Sequence, residues 1–347
     1  MVKNSICNVG LIGCGGIGRV HLSAYQKIPY ARVIAVADVD KKRAMEAARQ
    51  VNAKAIYEDY VKMLKRTDID MVDICLPVYL HPKAVIDAAE AGKHVLCEKP
   101  ICTNLKDADE MIAATRRADV KFMIAFMYRF EPFFIKIKQY IEDGTLGRPL
   151  LMWLTNVWRP KFMDPDSTKK WVADKTRSGG MLVEHVCHWI DLFRWWSGEA
   201  ESVFAHIKTV EKKVTVEDNA SVIIKFRNKA LATLTQSWYS YLPHNDVGIV
   251  GENGSARVLG SKAGGTYEVL KVKTRDQPEE EIRLVSSDPS VETISRLRYQ
   301  REIEHFVKCV LEDRTPIVSG VDGRAALEIA LAAYKSSEEG RPIRLPL

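Results

Sequence analysis

A glycine-rich segment near the start of the chain constrains the fold more than any other feature of the sequence. It follows the apolar run 9–12 directly and precedes a helical pattern, and its residues are Gly13, Cys14, Gly15, Gly16, Ile17 and Gly18. At a turn from strand to helix, the first glycine of a GxGxxG pattern permits the tight turn, the second lets the main chain approach a pyrophosphate, and the third lets the helix pack closely. The N–H groups at the start of the helix then face the phosphates. The segment therefore predicts a dinucleotide-binding loop.

An acidic residue at the end of the second predicted strand supports this interpretation. Asp38 follows the apolar run 33–37, twenty residues after Gly18, where an acid is expected to meet the ribose hydroxyls of the adenosine. A carboxylate there would repel the 2′-phosphate of NADP, so the sequence favours NAD. Two alternatives stay open: the basic residues at 41–43 would tolerate a phosphate, and Asp38 could instead cap the helix that starts near Lys41.

The first 126 residues alternate β-branched runs with helical patterns, as βαβ units do. The predicted strands are 6–12, 33–37, 71–76, 94–97 and 122–126. The predicted helices between them are 44–51, 83–91 and 105–118. The pattern predicts an α/β Rossmann domain with a doubly wound parallel sheet over residues 1–126.

Beyond residue 126 the pattern changes. The sequence predicts helices at 132–142, 180–196, 294–312 and 323–338, and strands at 202–209, 220–226, 230–239 and 267–272. Strand patterns that follow one another without long helices indicate antiparallel pairing. We therefore expect residues 127–347 to form an α+β domain with a large, mostly antiparallel open sheet.

The composition excludes several other classes of protein. With 46% hydrophobic and 28% charged residues, the chain is neither disordered nor fibrous. Its basic residues are interleaved with acidic ones, and its apolar runs fall short of the roughly 20 residues of a membrane span, so we expect no nucleic-acid or membrane partner. The seven cysteines are scattered without a CxxC pair. They are expected to be reduced and buried, as in a cytoplasmic protein.

Two groups of ionisable residues are candidates for chemistry. The first is Glu98-Lys99-Pro100, at the end of the predicted strand 94–97, where open α/β sheets bind ligands; a surface ion pair or an ordinary turn is the alternative. The second is the run from Glu184 to Asp191, in which Glu184, His188 and Asp191 would share one face of a regular helix. A histidine beside a carboxylate is suited to move protons near neutral pH.

Zinc binding is a competing interpretation of the second group, because Glu184, His185, Cys187 and His188 are all potential ligands. His185 would point away from the face that Glu184 and His188 share, and the pattern is neither HExxH nor HxxEH. The sequence therefore favours proton transfer and predicts no metal site. A purely structural histidine is the remaining alternative.

Together these residues resemble the Gfo/Idh/MocA family, which is named for glucose–fructose oxidoreductase and inositol dehydrogenase. The resemblance spans nearly the whole chain. It includes the glycine loop, Leu76-Pro77 with His81, 91–100, Arg129-Phe130, 144–149, 179–191 and 332–336. It implies a Rossmann domain followed by an open-sheet domain, with a homodimer or homotetramer formed through that sheet. It also implies reversible oxidation of a secondary alcohol, typically on a sugar, sugar derivative or cyclitol.

Carried onto this sequence, the resemblance implies a role for residues of both domains. Lys99 would hydrogen-bond the reacting oxygen and His188 would accept its proton, so the catalytic residues would be Lys99, Glu184 and His188. Besides the glycine loop and Asp38, the cofactor would contact Leu76, Pro77, His81, Glu98 and Lys99. The substrate would contact Lys99, Arg129, Trp158, Arg159, Trp171, Glu184, His185 and His188.

The chain departs from the family pattern at two positions of the second group. Glu184 stands where many members have Asp, and Val186 occupies a common glycine position. The added methylene moves the carboxylate by about a bond length, which is enough to change the hydroxyl that it contacts. Aromatic residues of the segment 153–171 are candidates to face a sugar, with simple packing as the alternative.

Two other functions stay open from the sequence. One is redox-assisted cleavage, in which a sugar is oxidised transiently, loses a group and is reduced again. The other is a dinucleotide-binding regulator without catalysis, for which Lys99, Glu184 and His188 would be unnecessary.

Overall fold

The computed structural model describes residues 6–163, 171–260, 267–283 and 291–347. These residues form two compact units. Unit 1 contains the described residues up to Phe130 together with Arg296–Arg324, and unit 2 contains those of Glu131–Ser295 and Ala325–Leu347. The sequence assigned everything after residue 126 to one domain; the segment 296–324 instead packs within unit 1.

Unit 1 is built on a six-stranded parallel sheet. Its strands are β1 (Cys7–Ile12), β2 (Ala31–Ala37), β3 (Ala55–Tyr57), β4 (Met71–Ile74), β5 (His94–Glu98) and β6 (Phe122–Ala125). Their order in the sheet is β3-β2-β1-β4-β5-β6, so the order reverses between β1 and β4. β4 and β6 are buried at every residue, as strands covered on both faces are. The predicted doubly wound fold is confirmed, although the short β3 was not predicted.

Five helices connect these strands: α1 (Gly16–Tyr25), α2 (Lys41–Val51), α3 (Tyr60–Leu64), α4 (His81–Glu90) and α5 (Leu105–Arg117). Side chains cap two of the longer ones: Asp40 accepts from the N–H groups of Lys42 and Arg43 at α2, and Asn104 accepts from that of Asp107 at α5. α3 escaped prediction because five residues carry too little periodicity.

Unit 2 is built on a nine-stranded sheet. Its strands are β7 (Pro149–Val157), β8 (Ala200–Lys208), β9 (Asn219–Phe226), β10 (Leu231–Ser237), β11 (His244–Gly251), β12 (Gly254–Gly260), β13 (Val269–Thr274), β14 (Glu280–Arg283) and β15 (Ile343–Arg344). Their order is β14-β13-β12-β11-β7-β10-β9-β8-β15. β7 and β10 pair in parallel, and the other pairs are antiparallel, which confirms the predicted mostly antiparallel sheet.

The helices of the remaining chain are α6 (Pro132–Glu142), α7 (Lys175–Ser178), α8 (Cys187–Ser197), α9 (Val291–Leu311) and α10 (Gly320–Glu339). A π-helical turn, Leu182–Val186, directly precedes α8. α6 and α8 pack together, and α8 packs on β7. No helix in the described parts of the chain is long and apolar enough to span a membrane.

Alternation along the strands gives the unit 2 sheet one buried and one open face. In β9, Val222, Ile224 and Phe226 are buried, whereas Ile223 between them is exposed. The same alternation runs through β7 and β10. All seven cysteines of the chain are buried thiols, as predicted, and burial raises the pKa of Cys7 to about 12.

A buried cluster of ionisable side chains joins four elements of unit 1. His21 of α1 lies between two acidic groups: its Nδ1 is 2.9 Å from Oδ2 of Asp73 in β4, and its Nε2 is 3.1 Å from Oε1 of Glu98 at the end of β5. Glu302 of α9 is also fully buried. Neither oxygen of its carboxyl group has a hydrogen-bond partner among the described residues.

The surroundings in the cluster raise the pKa values of two of its members, His21 and Glu302. Burial lowers the pKa of His21, but Asp73 and Cys75 beside the ring outweigh burial and raise this pKa well above its usual value. Burial, followed by the charge of Glu98, raises the pKa of Glu302 well above its usual value. Both shifts favour the protonated form, of the imidazole and of the carboxyl group of Glu302.

Replacing Glu302 by glutamine removes one titration and is expected to stabilise the protein increasingly as the pH rises. The folded chain keeps a proton on Glu302 that the unfolded chain releases above about pH 4.3. The free energy of unfolding of the wild type therefore falls as the pH rises from there towards the pKa of the folded state. Urea unfolding at a series of pH values rising from about pH 4.3 should show Glu302→Gln gaining on the wild type, by up to about 1.4 kcal/mol per pH unit, until the pKa of the folded state is passed.

Glu304→Gln, on the same helix, is the matched control. Hydrogen bonds from Lys308 and Tyr30 hold the pKa of Glu304 below its usual value. Its contribution to stability is therefore complete above about pH 4.3 and constant through neutral pH. A difference for Glu302→Gln that is as flat with pH as that of the control would contradict a buried, protonated Glu302.

Candidate functional site

The glycine loop of unit 1 has the geometry that its sequence predicted. Gly13 has a φ of +94°, and a Cβ built there would lie 2.5 Å from the carbonyl oxygen of Cys75. A Cβ on Gly18 would lie 2.1 Å from the carbonyl oxygen of Gly13. Neither position accepts a side chain, because the turn and the approach of α1 to the sheet leave no room for one.

Asp38 is bound directly to this loop. Its Oδ2 accepts a hydrogen bond from the N–H of Cys14 at 2.8 Å, and its Oδ1 accepts one from the N–H of Asp40 at 2.8 Å. The cap of α2 is Asp40, so the alternative in which Asp38 caps that helix is wrong. Among the basic residues that follow, Lys41 pairs with Glu58.

The residues at the loop fit a bound dinucleotide. A Cβ built on Gly15 or on Gly16 meets no atom within 4 Å, so the main chain is open to a ligand at the first turn of α1. The N–H groups of a first helical turn lack partners within the helix and suit phosphate oxygens. The half-buried Asp38 keeps acceptor lone pairs for hydroxyl groups. The glycine loop would hold the pyrophosphate and Asp38 the adenosine ribose.

His81 supports the loops that follow β4 and β5. It is fully buried, with Nδ1 2.8 Å from the carbonyl oxygen of Pro100 and Nε2 2.9 Å from that of Leu76. Burial lowers its pKa. The expected contact of His81 with the cofactor stays a prediction, and Leu76 and Pro77 are half-buried and accessible.

Glu98 and Lys99 lie at the carboxyl end of β5, on the half of the sheet beyond the reversal of strand order. Glu98 is buried beside His21, and its Oε2 accepts a hydrogen bond from the N–H of Lys99 at 3.0 Å. Lys99 is half-buried, and the peptide bond between Lys99 and Pro100 is cis. The cluster around His21 therefore fixes the carboxyl group next to Lys99.

Arg129 is buried and holds two parts of unit 1 together. Its Nη1 donates to the carbonyl oxygen of Ile317 at 2.8 Å, and its Nη2 donates to Oδ1 of Asp322 at 3.0 Å. Burial raises the pKa of Asp322, but the charge of Arg129 outweighs burial and the pKa is lowered. The sequence did not reveal this structural tie, and the expected substrate contact of Arg129 stays a prediction.

The candidate acid–base residues of unit 2 lie where the π-helical turn meets α8. The chain enters this turn through Gly179 and Gly180, which have φ values of +80° and +101°. Glu184 lies within the turn and is half-buried, whereas His188 in α8 is buried. The regular spacing that the sequence assumed for Glu184, His188 and Asp191 does not hold through a π-helical turn. Such turns occur frequently at functional sites.

Two tryptophans flank the other histidine of this turn. Trp158 follows β7 and Trp238 follows β10, and because the two strands are parallel their ends meet at one edge of the sheet. The N–H of Trp158 donates to the carbonyl oxygen of Ser237 at 2.9 Å. The ring of His185 lies 6.0 Å from each tryptophan ring, measured between centroids. The sequence identified Trp158 and His185 but missed Trp238.

The remaining predicted substrate residues are spread more widely. Arg159 lies 5.3 Å from the ring of Tyr239 and 5.6 Å from that of Tyr241. Trp171 is half-buried and accepts a main-chain hydrogen bond from Asp174 at the start of α7. Trp153 covers Gly248 of β11, where a Cβ would lie 2.1 Å from its ring, so it packs on the sheet.

The zinc interpretation of the helix is not supported by its geometry. Among the described residues, the group that brings three ligand atoms within 4.8 Å of one another is His21, Asp73 and Cys75. Burial, followed by Asp73, raises the pKa of Cys75 far above its usual value, and a protonated thiol is a poor ligand. The hydrogen bond between His21 and Asp73 accounts for this group.

Each unit thus gathers its own set of predicted residues. Unit 1 brings together the glycine loop, Asp38 and the Glu98–Lys99 pair, and unit 2 brings together Trp158, Glu184, His185 and His188. The sequence missed several of the residues that contact them, among them His21 beside Glu98 and Trp238 beside His185. Of these residues, only His21 could have been suspected from the sequence, because it interrupts the apolar pattern of α1.

Two family models match the two parts of the chain. A model described as an oxidoreductase family with an NAD-binding Rossmann fold matches residues 7–126. A model described as the C-terminal alpha/beta domain of the oxidoreductase family matches residues 138–345. Both belong to the Gfo/Idh/MocA family, which the sequence motifs indicated.

Named relatives align over almost the whole chain. The chain is 32% identical to a myo-inositol 2-dehydrogenase of Thermotoga maritima, over 97% of this chain and 98% of that protein. It is 27% identical to the scyllo-inositol 2-dehydrogenase (NAD(+)) of Bacillus subtilis, over 96% of this chain and 95% of that protein. A solved levoglucosan dehydrogenase, in complex with NADH and levoglucosan, superposes with a TM-score of 0.90 at 26% identity, over 99% and 100% of the two chains. Its glycine loop, its Asp38 and its match to both family models make this chain a member of the Gfo/Idh/MocA family and an NAD-dependent oxidoreductase.

Proposed function

We propose that the protein is a dehydrogenase that oxidises a secondary hydroxyl group of a sugar, a sugar derivative or a cyclitol. The observation that carries the proposal is the buried His188 of unit 2, four residues after Glu184, in a chain whose unit 1 fits NAD. The named relatives that act on inositols and levoglucosan support the substrate class. Removing a proton from an alcohol is work suited to a histidine near neutral pH.

In this proposal the residues of the two units divide the work. His188 accepts the proton of the substrate hydroxyl, and Glu184 orients His188 or the substrate. Lys99 donates a hydrogen bond to the reacting oxygen, and Glu98 contacts the nicotinamide ribose. The glycine loop and Asp38 would hold NAD, which would supply the hydride acceptor for the carbinol carbon. Lys99 therefore stabilises charge on the oxygen while His188 holds the proton.

We also propose that aromatic surfaces bind the substrate. Trp158 and His185 are half-buried beside Trp238, and aromatic rings pack well against the apolar faces of sugars. Trp171 and Arg159 would contribute from neighbouring segments. Because Glu184 reaches one methylene further than Asp, the hydroxyl that it contacts would differ from that in many family members.

The proposal predicts that a polyol reduces NAD and that Lys99 and His188 are needed. The measurement is nicotinamide absorbance during incubation with NAD, and then NADP, and a panel of sugars, sugar acids and inositols. Lys99→Met and His188→Asn should each lower kcat by about 10²–10⁴-fold, because each removes a group that acts on the reacting oxygen or its proton. Lys83→Met, which removes an exposed lysine paired with Asp87, is the control.

The same measurement distinguishes the dehydrogenase from the two alternative functions, redox-assisted cleavage and a regulatory role. A protein that binds NAD but reduces it with no member of the panel would contradict the dehydrogenase and favour redox-assisted cleavage or a regulatory role. Activity retained by His188→Asn would remove His188 from the mechanism.

We further propose that the chain forms a homodimer or a homotetramer through the open face of the unit 2 sheet. Neighbouring strands expose apolar side chains there: Leu151 is 39% exposed, Ile223 47% and Leu231 43%. Contiguous apolar surface of this kind marks protein interfaces.

The seven buried thiols support a reducing, cytoplasmic location.

Ile223→Asp should dissociate this assembly, because it places a charge in a buried apolar contact. Sedimentation velocity is expected to show a dimer or tetramer for the wild type and a smaller species for the variant. Val61→Asp, at a comparably exposed position of α3 in unit 1, should leave the assembly intact. A monomeric wild type would contradict the proposal.

A further inference from the structure

The first residue of the π-helical turn is held by a buried carboxyl group from another part of unit 2. Leu182 donates its N–H to Oε1 of Glu217 at 2.7 Å. Glu217 is buried and lies just before β9. The hydroxyl group of Tyr334, on α10, donates to the same oxygen. One carboxyl group therefore joins the turn, the start of β9 and α10.

The chain that enters the turn passes directly against these two side chains. A Cβ built on Gly180 would lie 2.1 Å from the hydroxyl oxygen of Tyr334 and 2.6 Å from Oε2 of Glu217. The N–H of Leu182 is one of the helix-terminal donors that have no partner within the helix, and Glu217 satisfies it. Burial raises the pKa of Glu217, and the hydrogen bonds from Tyr334 and Leu182 offset this only in part.

The residue that follows Glu217 holds the aromatic side of the same region. The N–H of Trp238 donates to the carbonyl oxygen of Asp218 at 2.7 Å, and the ring of Trp238 packs against His185. Consecutive residues of one segment therefore hold both the turn that carries His185 and the tryptophan that packs on it. A shift of this segment would move both together.

We propose that Glu217, supported by Tyr334, is a positioning residue that fixes the π-helical turn and so places Glu184, His185 and His188 for the reaction. The inference rests on the proposed function of the three residues that it places. Glu217 acts on them through the N–H of Leu182 and does not need to touch the substrate. Displacing a reacting group by about 1 Å can cost on the order of 10²-fold in rate, so a small change at Glu217 has a large expected effect.

Tyr334→Phe tests the role with the smallest structural change. It removes the hydroxyl that holds Glu217 and is expected to lower kcat at least about 10-fold, while the Kd for NAD, which binds to unit 1, stays unchanged. Ser336→Ala is the matched control on the same helix. Its buried hydroxyl accepts from the N–H of Ala205 and donates to the carbonyl oxygen of Arg341, so it loses comparable hydrogen bonds away from the turn. Equal losses of kcat in the two variants would overturn the proposal.

A pair of substitutions at Glu217 adds a conservative comparison. Glu217→Gln keeps an acceptor for the N–H of Leu182, whereas Glu217→Leu removes it at similar size. We expect the glutamine variant to retain kcat much closer to that of the wild type than the leucine variant does. A glutamine variant as impaired as the leucine variant would show that Glu217 does not act through Leu182.

A spectroscopic measurement separates this inference from the proposed reaction. In protein with ¹⁵N-labelled histidine, Tyr334→Phe should shift the ring resonances of His185 and His188 and leave His94 of unit 1 unchanged, and Ser336→Ala should shift none of the three. Shifts in a protein that oxidises no polyol would uphold the positioning role while the proposed function fails. Unchanged resonances of His185 and His188 would overturn the positioning role whatever the activity.

Discussion

The close crossing of α1 over the end of β1 determines how the cofactor half of the protein is built. The main chain at Gly18 runs against the carbonyl oxygen of Gly13, where a Cβ would lie only 2.1 Å away. Because α1 starts so near the sheet, its next turn places His21 beside Asp73 and Glu98. The loop that fits the pyrophosphate and the strand end that carries Lys99 are therefore parts of one packed arrangement.

Unit 2 places its ionisable groups by a different route. Its sheet contains the parallel pair β7 and β10 among antiparallel neighbours, and the tryptophans that follow these two strands flank His185. The helix that bears His188 begins with a π-helical turn whose first N–H is bound by Glu217. In unit 2 the candidate side chains are thus carried by a sheet edge and a capped turn, whereas in unit 1 they are carried by the glycine loop and by the strand end beside His21.

Features encoded within a short stretch of chain could be predicted, and those that depend on distant partners could not. The spacing of the glycines to Asp38 predicted a loop that the structure reproduces, because turn, strand and helix start are all local. Arg129 was assigned to the substrate, yet its partners Ile317 and Asp322 lie far along the chain. The π-helical turn escaped prediction because its cap comes from Glu217, whose position the local pattern of 180–196 does not contain. His81 was identified from its position in the motif, but only the fold shows that its two ring nitrogens face the carbonyl oxygens of Pro100 and Leu76.

We propose that this oxidoreductase transfers a hydride from the carbinol carbon of a sugar or cyclitol to NAD. The most direct test is to incubate the protein with NAD and polyols deuterated at their carbinol carbons, and to determine the deuterium content of the reduced cofactor by mass spectrometry. We expect one deuterium atom per molecule of reduced cofactor from at least one polyol, and no deuterated cofactor from the Lys99→Met variant. Reduced cofactor without deuterium, or no reduced cofactor from any polyol while NAD is bound, would contradict this proposal.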